Sequence, residues 1–442
     1  MANPILPGWE HIPDGEPRLF GDRVYLYGSH DRPRSDSFCD TKLKVWSAPK
    51  DDLSNWTCHG DCFHIKADDD HESDISWEAR SLFAPDVVEK DGKYYLFAYI
   101  YKAQGAIAVS DRPEGPFKLL NTYQYEESED LPPDFCNNRV FVDPGVLVDD
   151  DGKVYVYCGL RWSYVVQMDE NDITKVKTET YKPHIIPVEP PFKYFEACSP
   201  RKINGTYYLV YSQTRGCCLD YATSASPMGP FVHRGTIIDN GIDYPGGNDH
   251  GGLVQIDGQW YIFYHRTTNN TCFSRQSCVE RVTILPDGTI PQVEMTSLGF
   301  EESLNPYRVT PAYNACVLTG KCVIKEFNVM DIRVCDIMDK CVIGYKYYDF
   351  GEDFSNTSMK IHLKLAGRGE KGRIHVRLDD PENGEELCSV DFDGGDTIVT
   401  GKTRCVTGRH ALYLVFEDDR IQDPLAIHDR MLCDLKEFVF TK

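Results

Sequence analysis

Five short segments decide the fold of this chain, and each joins a polar turn containing glycine to a run of aromatic and β-branched residues. They read GDRVYLY (21–27), DGKYYLF (91–97), DGKVYVY (151–157), NGTYYLV (204–210) and DGQWYIF (257–263). Asn-Gly and Asp-Gly between apolar runs predict tight β-hairpins, because both turn residues must tolerate positive φ. The turn glycines are 71, 60, 53 and 53 residues apart. Strands repeated at such a period, without an amphipathic helix, are typical of propeller blades, so we predict an all-β chain that begins with a five-bladed β-propeller.

The pattern changes after Gly299. The last hundred residues read as short strands between Gly, Asp and Asn turns, for example IHVRL (374–378) and ALYLVF (411–416). Such spacing predicts a β-sandwich. We place the propeller at residues 1–304 and the sandwich at residues 305–442.

Charge and hydropathy exclude several classes of partner. The chain has 47 basic and 69 acidic residues, a net charge of −22. A polyanion would be repelled by that field, so no nucleic-acid partner is expected. No apolar run approaches the roughly 18 residues that a membrane helix needs, so no membrane partner is expected either. Association into a homo-oligomer stays open.

Cysteine usage and the first residues bear on the compartment. The 17 cysteines are odd in number and scattered, which favours reduced thiols over a disulfide framework. The first residues show no basic and apolar leader, so a cytoplasmic location is expected. The cluster Cys58-His59-x-x-Cys62-x-His64 has zinc-type side chains. No second ligand pair follows at zinc-finger spacing, so a reduced surface loop is the preferred interpretation.

Acidic residues recur where each blade begins. The innermost strand of every propeller blade lines the central channel, so residues at equivalent positions converge there. Before the five turns stand, in order, Asp14, Asp86, Asp143, Glu196 and the pair Asp249-His250. Carboxylates that share a partly desolvated channel repel one another, which raises at least one pKa. Such a set suits general acid and base catalysis better than it suits structural ion pairing.

Four of these sites also resemble a known family. NPILPG (3–8) leading to Pro13-Asp14, APDV (84–87), EACSPRK (196–202) and NDHG (248–251) are similar to motifs of glycoside hydrolase family 43. YKYYDF (345–350) and the closing strands resemble the family 6 carbohydrate-binding-module-like sandwich that often follows such enzymes. The resemblance implies an inverting glycosidase with a five-bladed propeller.

By that resemblance, Asp14 matches the general base, Glu196 the general acid, and Asp86 the third acid, which orients the general acid and raises its pKa. His250 matches an axial histidine near a channel ion, often calcium, or a water. No cofactor is implied for the reaction itself. Glu16 is a second candidate base, although Asp14 holds the family position. Asp143 stands in an Asp-Pro-Gly context that fits a turn or a place on the channel floor, so we leave it outside the triad.

Further pocket candidates come from residues beside these motifs. Trp77 and Phe83 precede Asp86 and are candidates for an apolar wall against a sugar face. His30 closes the second strand of the first blade, and Arg266 and Arg275 lie at the last blade. Either arginine could reach a sugar hydroxyl or pair with the excess of acids, and a core or surface role remains the alternative for each of the five.

The expected substrate is an oligosaccharide of plant type. The resemblance implies an exo-acting β-D-xylosidase, an α-L-arabinofuranosidase, or both. The long insertion from Asp31 to Trp77 favours exo action, because loops of this kind wall off one end of a channel. Endo-arabinanase and galactofuranosidase activities are alternatives within the same fold. A non-catalytic carbohydrate-binding propeller is the alternative from another class, and it would need no acid pair.

Overall fold

The computed structural model of the chain describes residues 2–101, 105–125, 141–352, 358–418, 420 and 429–442. Within these ranges the regular structure is β-strand, apart from one 3-10 turn at Ala312–Asn314. No helix among them is long and apolar enough to cross a membrane. The strands form seven sheets, of which five follow one another in the first part of the chain.

The first two of these sheets are four-stranded antiparallel meanders. The strands of the first are β1 (Glu16–Phe20), β2 (Arg23–Tyr27), β3 (Lys42–Pro49) and β4 (Thr57–His64). Those of the second are β5 (Leu82–Lys90), β6 (Lys93–Ile100), β7 (Ala106–Ser110) and β8 (Lys118–Asn121). The first two strands of each sheet are joined at the predicted glycine turn, so the hairpin signal in the sequence is confirmed here.

The third and fourth sheets repeat this order. The third contains β10 (Gly145–Val148), β11 (Val154–Cys158), β12 (Tyr164–Met168) and β13 (Lys175–Pro183), with β9 (Gln124–Tyr125) parallel to β13. The fourth contains β14 (Tyr194–Ile203), β15 (Thr206–Gln213), β16 (Cys218–Ser224) and β17 (Val232–Asp239).

The fifth sheet closes the ring with help from the start of the chain. Its strands are β18 (Leu253–Ile256), β19 (Gln259–Thr268) and β20 (Thr271–Val282). The N-terminal segment lies beside β20, where the backbone amide of Ile5 donates to Ser277 and the Asn3 side chain exchanges two hydrogen bonds with the backbone of Val279. The first strand of the first sheet contacts β5 and β18, and β10 contacts β5 and β14. The innermost strands therefore surround one channel, and the five-bladed propeller is confirmed.

Two further sheets pack as a sandwich behind the propeller. One has the order β23-β24-β31-β26-β29, with β21 beside β31, and the other the order β22-β25-β30-β27-β28. Their strands are β21 (Thr310–Pro311), β22 (Val317–Thr319), β23 (Val323–Asn328), β24 (Asp331–Ile337), β25 (Val342–Asp349), β26 (Ser358–Gly367), β27 (Gly372–Leu378), β28 (Glu386–Phe392), β29 (Thr397–Arg404), β30 (Arg409–Glu417) and β31 (Cys433–Thr441). One apolar core runs from the fourth and fifth blades into this sandwich.

Candidate active site

A pocket of about 570 Å³ lies at the beginning of the innermost strands. Four carboxyl side chains line it: Asp14, Asp143 and Glu196 come from three different blades, and the exposed Asp36 comes from the segment before β3. His250 and Arg275 come from the fifth blade, and the aromatic rings of the wall are Phe38, Phe83, Tyr99, Tyr101 and Phe273. Acids and rings in one cavity are the components of a sugar-hydrolysing site.

Asp14 is held as a carboxylate. It is only 5% exposed, and it accepts hydrogen bonds from Arg275 (2.8 Å) and from the Ser29 hydroxyl (2.6 Å). Burial by itself would raise the pKa of Asp14, but the charge of Arg275, together with the hydrogen bond from Ser29, lowers it below the usual value. A carboxylate that stays ionised at neutral pH can accept a proton from water.

Two neutral groups fix the orientation of the loop that carries Asp14. The backbone amide of Asp14 donates to Nδ1 of His265 (3.2 Å), and Nε2 of that ring lies 3.2 Å from the side-chain oxygen of Asn248. Burial, followed by the charge of Arg275, lowers the pKa of His265 to about 3, so the ring is neutral with its proton on Nε2. A neutral ring with this tautomer can accept at Nδ1 and donate at Nε2 together.

Arg275 is locked in place beside Asp14. Its Nε and Nη2 donate to the two oxygens of the buried Asp31 at 2.8 and 2.9 Å, and its guanidinium carbon lies 4.9 Å from the centre of the Phe38 ring. The sequence predicted Arg275 as a substrate contact. The structure places it at the pocket, where its closest partners are Asp14 and Asp31 and its charge keeps Asp14 ionised.

Glu196 has the opposite electrostatic environment. It lies in β14 at an irregular step in the ladder, and the next residue, Ala197, has a φ of 66°. Burial and then the negative charge of Asp14 raise the pKa of Glu196 to about 7, against the opposing charges of Arg275 and Arg161. A carboxyl that keeps its proton near neutral pH can protonate a leaving oxygen.

Asp143 is the site residue that the sequence analysis left out. Its side chain is 8% exposed and lines the pocket with Glu196. Burial raises the pKa of Asp143 well above its usual value, and the charges of Glu196 and Asp14 raise it further. Two acids that repel each other in one buried site titrate as a pair, so Asp143 influences the protonation of Glu196.

Asp86, predicted as the third acid, lies elsewhere. Arg18 donates to both of its oxygens, at 2.9 and 2.5 Å, and the amide of Val146 donates to it at 2.6 Å. Glu16, the second candidate base, pairs with Arg201 at 2.5 Å and Arg18 at 3.5 Å. Neither acid lines the pocket. The two acids and two arginines form a channel network that joins blades, and the expectation that Asp86 orients Glu196 does not fit this placement.

This placement predicts a loss of stability in Asp86→Asn. Arg18 would keep the Val146 carbonyl and, as its only acidic partner among the described residues, the more distant Glu16, and removing one partner of a buried ion pair costs about 3 kcal/mol. Thermal or urea unfolding of the variant measures this loss, with the exposed Asp22→Asn as control. Wild-type stability in Asp86→Asn, together with a changed pH profile of hydrolysis, would restore Asp86 to the catalytic set.

Of the other residues predicted to contact substrate, one lines the pocket and the others lie outside it. Phe83 lines the pocket, with its ring centre 5.4 Å from that of Tyr99. His30 is not among the lining residues, and its two nitrogens lie 3.4 Å from Glu10 and 3.5 Å from Asp40. Trp77 packs instead against the apolar core between the first two blades. The prediction of a sugar contact therefore fits Phe83 and does not fit His30 or Trp77.

Arg266 joins the propeller to the sandwich. Its guanidinium donates to the backbone oxygens of Ala315 (2.6 Å) and Tyr313, and the Tyr244 ring lies 5.8 Å away. The side chain is 1% exposed and does not line the pocket. Arg266 therefore cannot contact a sugar in the pocket as predicted, because its guanidinium binds backbone oxygens between the propeller and the sandwich.

His250 lines the pocket, with Nδ1 at 3.9 Å from Asp14. Burial lowers its pKa, so the ring is neutral. Calcium binds six to eight oxygen ligands. His250 offers nitrogen, while the nearby carboxylates of Asp14 and Glu16 are already paired with Arg275 and Arg201. The donor set does not fit a protein-built calcium site.

A pocket that combines a carboxylate of lowered pKa with a carboxyl of raised pKa has the acid and base that glycoside hydrolases use. The profile of glycosyl hydrolases family 43 matches residues 1–290. A xylosidase/arabinosidase from Thermoclostridium stercorarium is 35% identical, over 94% of this chain and 95% of the relative. The chain belongs to glycosyl hydrolase family 43.

Other relatives and solved structures agree with this membership. An arabinoxylan arabinofuranohydrolase from Bacillus subtilis is 28% identical over 94% of this chain and 89% of its own length. The solved structure of a family 43 arabinoxylan arabinofuranohydrolase from the same organism, in complex with cellotetraose, aligns over 100% of this chain and 97% of its own length. The TM-score is 0.56 and the sequence identity is 24%, so this likeness supports the fold alone. A family 43 β-xylosidase/α-arabinofuranosidase from a compost metagenome, bound to xylotriose in a calcium-free form, is 28% identical with TM-score 0.52 over 66% of this chain and 97% of its own.

Proposed function

We propose that this chain is an inverting exo-glycosidase that releases pentose sugars, as a β-D-xylosidase, an α-L-arabinofuranosidase, or both. The observation that carries the proposal is the contrast within one pocket, where the pKa of Asp14 is lowered and that of Glu196 is raised to about 7. A binding module has no need of such a contrast.

In the proposed reaction, Asp14 and Glu196 each transfer one proton. Asp14 accepts a proton from a water molecule as the water oxygen attacks the anomeric carbon. Glu196 donates its proton to the glycosidic oxygen as the bond from that oxygen to the anomeric carbon breaks. Inversion needs the two carboxyls on opposite sides of the sugar, about 6.5–9.5 Å apart. Asp14 and Glu196 come from the first and fourth blades, which supports this arrangement.

Two kinds of observation support the details of this proposal. The names of the relatives support the preference for pentose sugars, and the residues of the pocket wall support exo action. The relative from Thermoclostridium stercorarium is named for both sugars. Arg32 and Phe38 from the segment before β3, and Arg80 and Ser81 from the segment before β5, line the pocket. These segments lie in or next to the insertion of the first blade, and they support a wall at one end.

Hydrolysis of a panel of aryl glycosides tests the proposal. We expect turnover of the β-D-xylopyranoside, the α-L-arabinofuranoside, or both, with little turnover of the β-galactofuranoside. Turnover of linear arabinan alone would indicate endo action. Sugar binding without turnover of any substrate would replace the proposal by a binding propeller.

We propose for Asp143 the role that the sequence assigned to Asp86, and a pH profile tests it. Glu196 acts while protonated, so activity falls as the pH rises through its pKa. Asp143→Asn leaves Glu196 without the acid with which it titrates as a pair, so the upper apparent pKa of the pair falls and the alkaline limb of kcat/KM moves down by about one pH unit. An unmoved limb in Asp143→Asn, or the same movement in Asp86→Asn, would contradict the assignment.

We propose a cytoplasmic location, in which the enzyme acts on imported oligosaccharides. The support is the state of the cysteines, since 16 of them are free thiols in the described part of the chain and many are buried. Fractionation of the native host tests this location, and activity in the medium or periplasm would contradict it.

A further inference from the structure

A group of metal-binding side chains lies in the first blade, outside the active site. Asp61 and His64 belong to the end of β4, and His71 comes from the segment that follows. One ligand atom from each residue lies within 4.8 Å of the other two. Two imidazoles and one carboxylate are a ligand set that suits Zn²⁺ and similar divalent transition metals.

His64 provides the second, independent observation. The residue is 4% exposed, and its Nε2 atom is buried without a hydrogen-bond partner among the described residues. A buried nitrogen left without a partner is costly, so each such atom in a folded protein calls for an explanation. Nε2 faces the Asp61 carboxylate at 4.0 Å, a separation that is too long for a hydrogen bond and that an ion between the two groups would span.

The two imidazole rings of this cluster stack, with centres 4.3 Å apart and planes inclined by 19°. A ring nitrogen binds a metal ion in the plane of its ring, so the half-exposed ring of His71 has to turn for both histidines to bind one ion.

Backbone contacts bring His71 back to the strand. The amide of His64 donates to the Asp74 side chain, and the amide of Asp74 donates to the His64 carbonyl, each at 2.8 Å. Asp68 accepts from the amide of His71 at 2.9 Å. Lys42 lies 2.8 Å from Oδ2 of Asp61, the same oxygen that faces Nε2 of His64, so an ion at this site would bind Oδ1 or displace Lys42 from Oδ2.

The set differs from the zinc-type motif visible in the sequence. Of Cys58, His59, Cys62 and His64, only His64 takes part. Cys58 is exposed, and burial raises the pKa of Cys62 well above its usual value, which keeps its thiol protonated. His59 instead contacts the Ser47 hydroxyl at 2.6 Å. The ligand set in the structure thus contains no cysteine. It combines His64 with Asp61 and with His71, which lies seven residues after His64 in the chain.

We propose that Asp61, His64 and His71 bind a divalent transition metal, with water in the remaining position. The ion would tie β4 to the segment that continues to Arg80 and Ser81 at the pocket wall. This site is separate from the catalytic acids, so its existence does not depend on the proposed function.

Zinc titration of the full-length protein tests the site. Protein freed of metal by a chelator is titrated with Zn²⁺ in competition with a chromophoric indicator. We expect one ion per chain in the wild type and an affinity at least about 10-fold weaker in His71→Asn. His71 is half exposed, so this variant is expected to fold, and circular dichroism confirms that it does. Asp61→Asn is expected to weaken binding as well.

Two matched controls separate this site from its alternatives. His59→Asn and Cys58→Ser alter the sequence motif but not the proposed ligands, so both should bind zinc like the wild type. A second group, Cys217, Cys218 and Asp239, could also hold an ion, although Asp239 already pairs with an arginine. Absence of zinc binding, unchanged affinity in His71→Asn, or loss of the ion in Cys217→Ser alone would overturn the proposal.

Discussion

Asp14→Asn is expected to lower kcat by about 10³-fold or more on xylobiose and on activated aryl glycosides alike. The water must lose a proton whatever the leaving group, so a good leaving group cannot compensate for the missing base. Arg275 keeps its two bonds to Asp31 in this variant, so the fold should survive. Steady-state kinetics on both substrate types measure the effect.

The control and a rescue experiment make this test specific. Asp22→Asn changes an exposed acid of the same blade and should leave kcat unaltered. Azide is a nucleophile that needs no general base, so it should restore part of the turnover in Asp14→Ala. Activity close to wild type in Asp14→Asn would exclude Asp14 as the base and return attention to Glu16, despite its pairing with Arg201.

The sequence was sufficient for the propeller, because its signal is local and repeated. Each of the five polar turns, four of them Asp-Gly or Asn-Gly and one Gly-Asp, specifies one hairpin, and five hairpins at a similar period specify the ring. The sequence also predicted that Asp14 and Glu196 lie at the channel, and both line the pocket there. The opposite pKa shifts of these two acids could not be predicted from the sequence, because Arg275, which lowers the pKa of Asp14, lies 261 positions away in the chain.

Choosing between Asp86 and Asp143 required strand register. Asp14 and Asp143 each stand two residues before the first paired residue of their inner strand, Glu16 and Gly145. Asp86 instead lies inside β5, where it pairs with Phe97. Asp143 and Glu196 also share an offset of nine residues from their turn glycines, whereas Asp86 stands at six. Asp14, however, stands seven residues before its turn glycine, so this offset does not separate Asp86 from the pocket acids, and the choice needs the pairing seen in the structure.

The misplaced substrate contacts have a common physical reason. Arg266 and Trp77 are large side chains next to functional motifs, and their alternatives were burial in a core or an interface. Which alternative occurs depends on partners far along the chain, such as Tyr313 and Ala315 for Arg266. The sequence around each residue holds no information about those partners.

Glu196→Gln is expected to act selectively on substrates with poor leaving groups. Hydrolysis of xylobiose should fall by about 10³-fold, because the departing sugar oxygen needs the proton that Glu196 supplies. Aryl glycosides whose phenolate leaves without protonation should lose much less, on the order of 10-fold or below. The alkaline limb of the pH profile should also disappear on the activated substrate, since the group whose pKa is about 7 has been removed.

The comparison of the two substrates is what separates catalysis from folding or binding. A misfolded variant would lose both activities equally, and a loss of sugar affinity would change KM in both. Glu189→Gln, an exposed acid of the same segment, should behave like the wild type. Equal loss on xylobiose and on the activated glycoside would show that Glu196 is not the proton donor. Asp143, the other pocket acid with a raised pKa, would then be the remaining candidate.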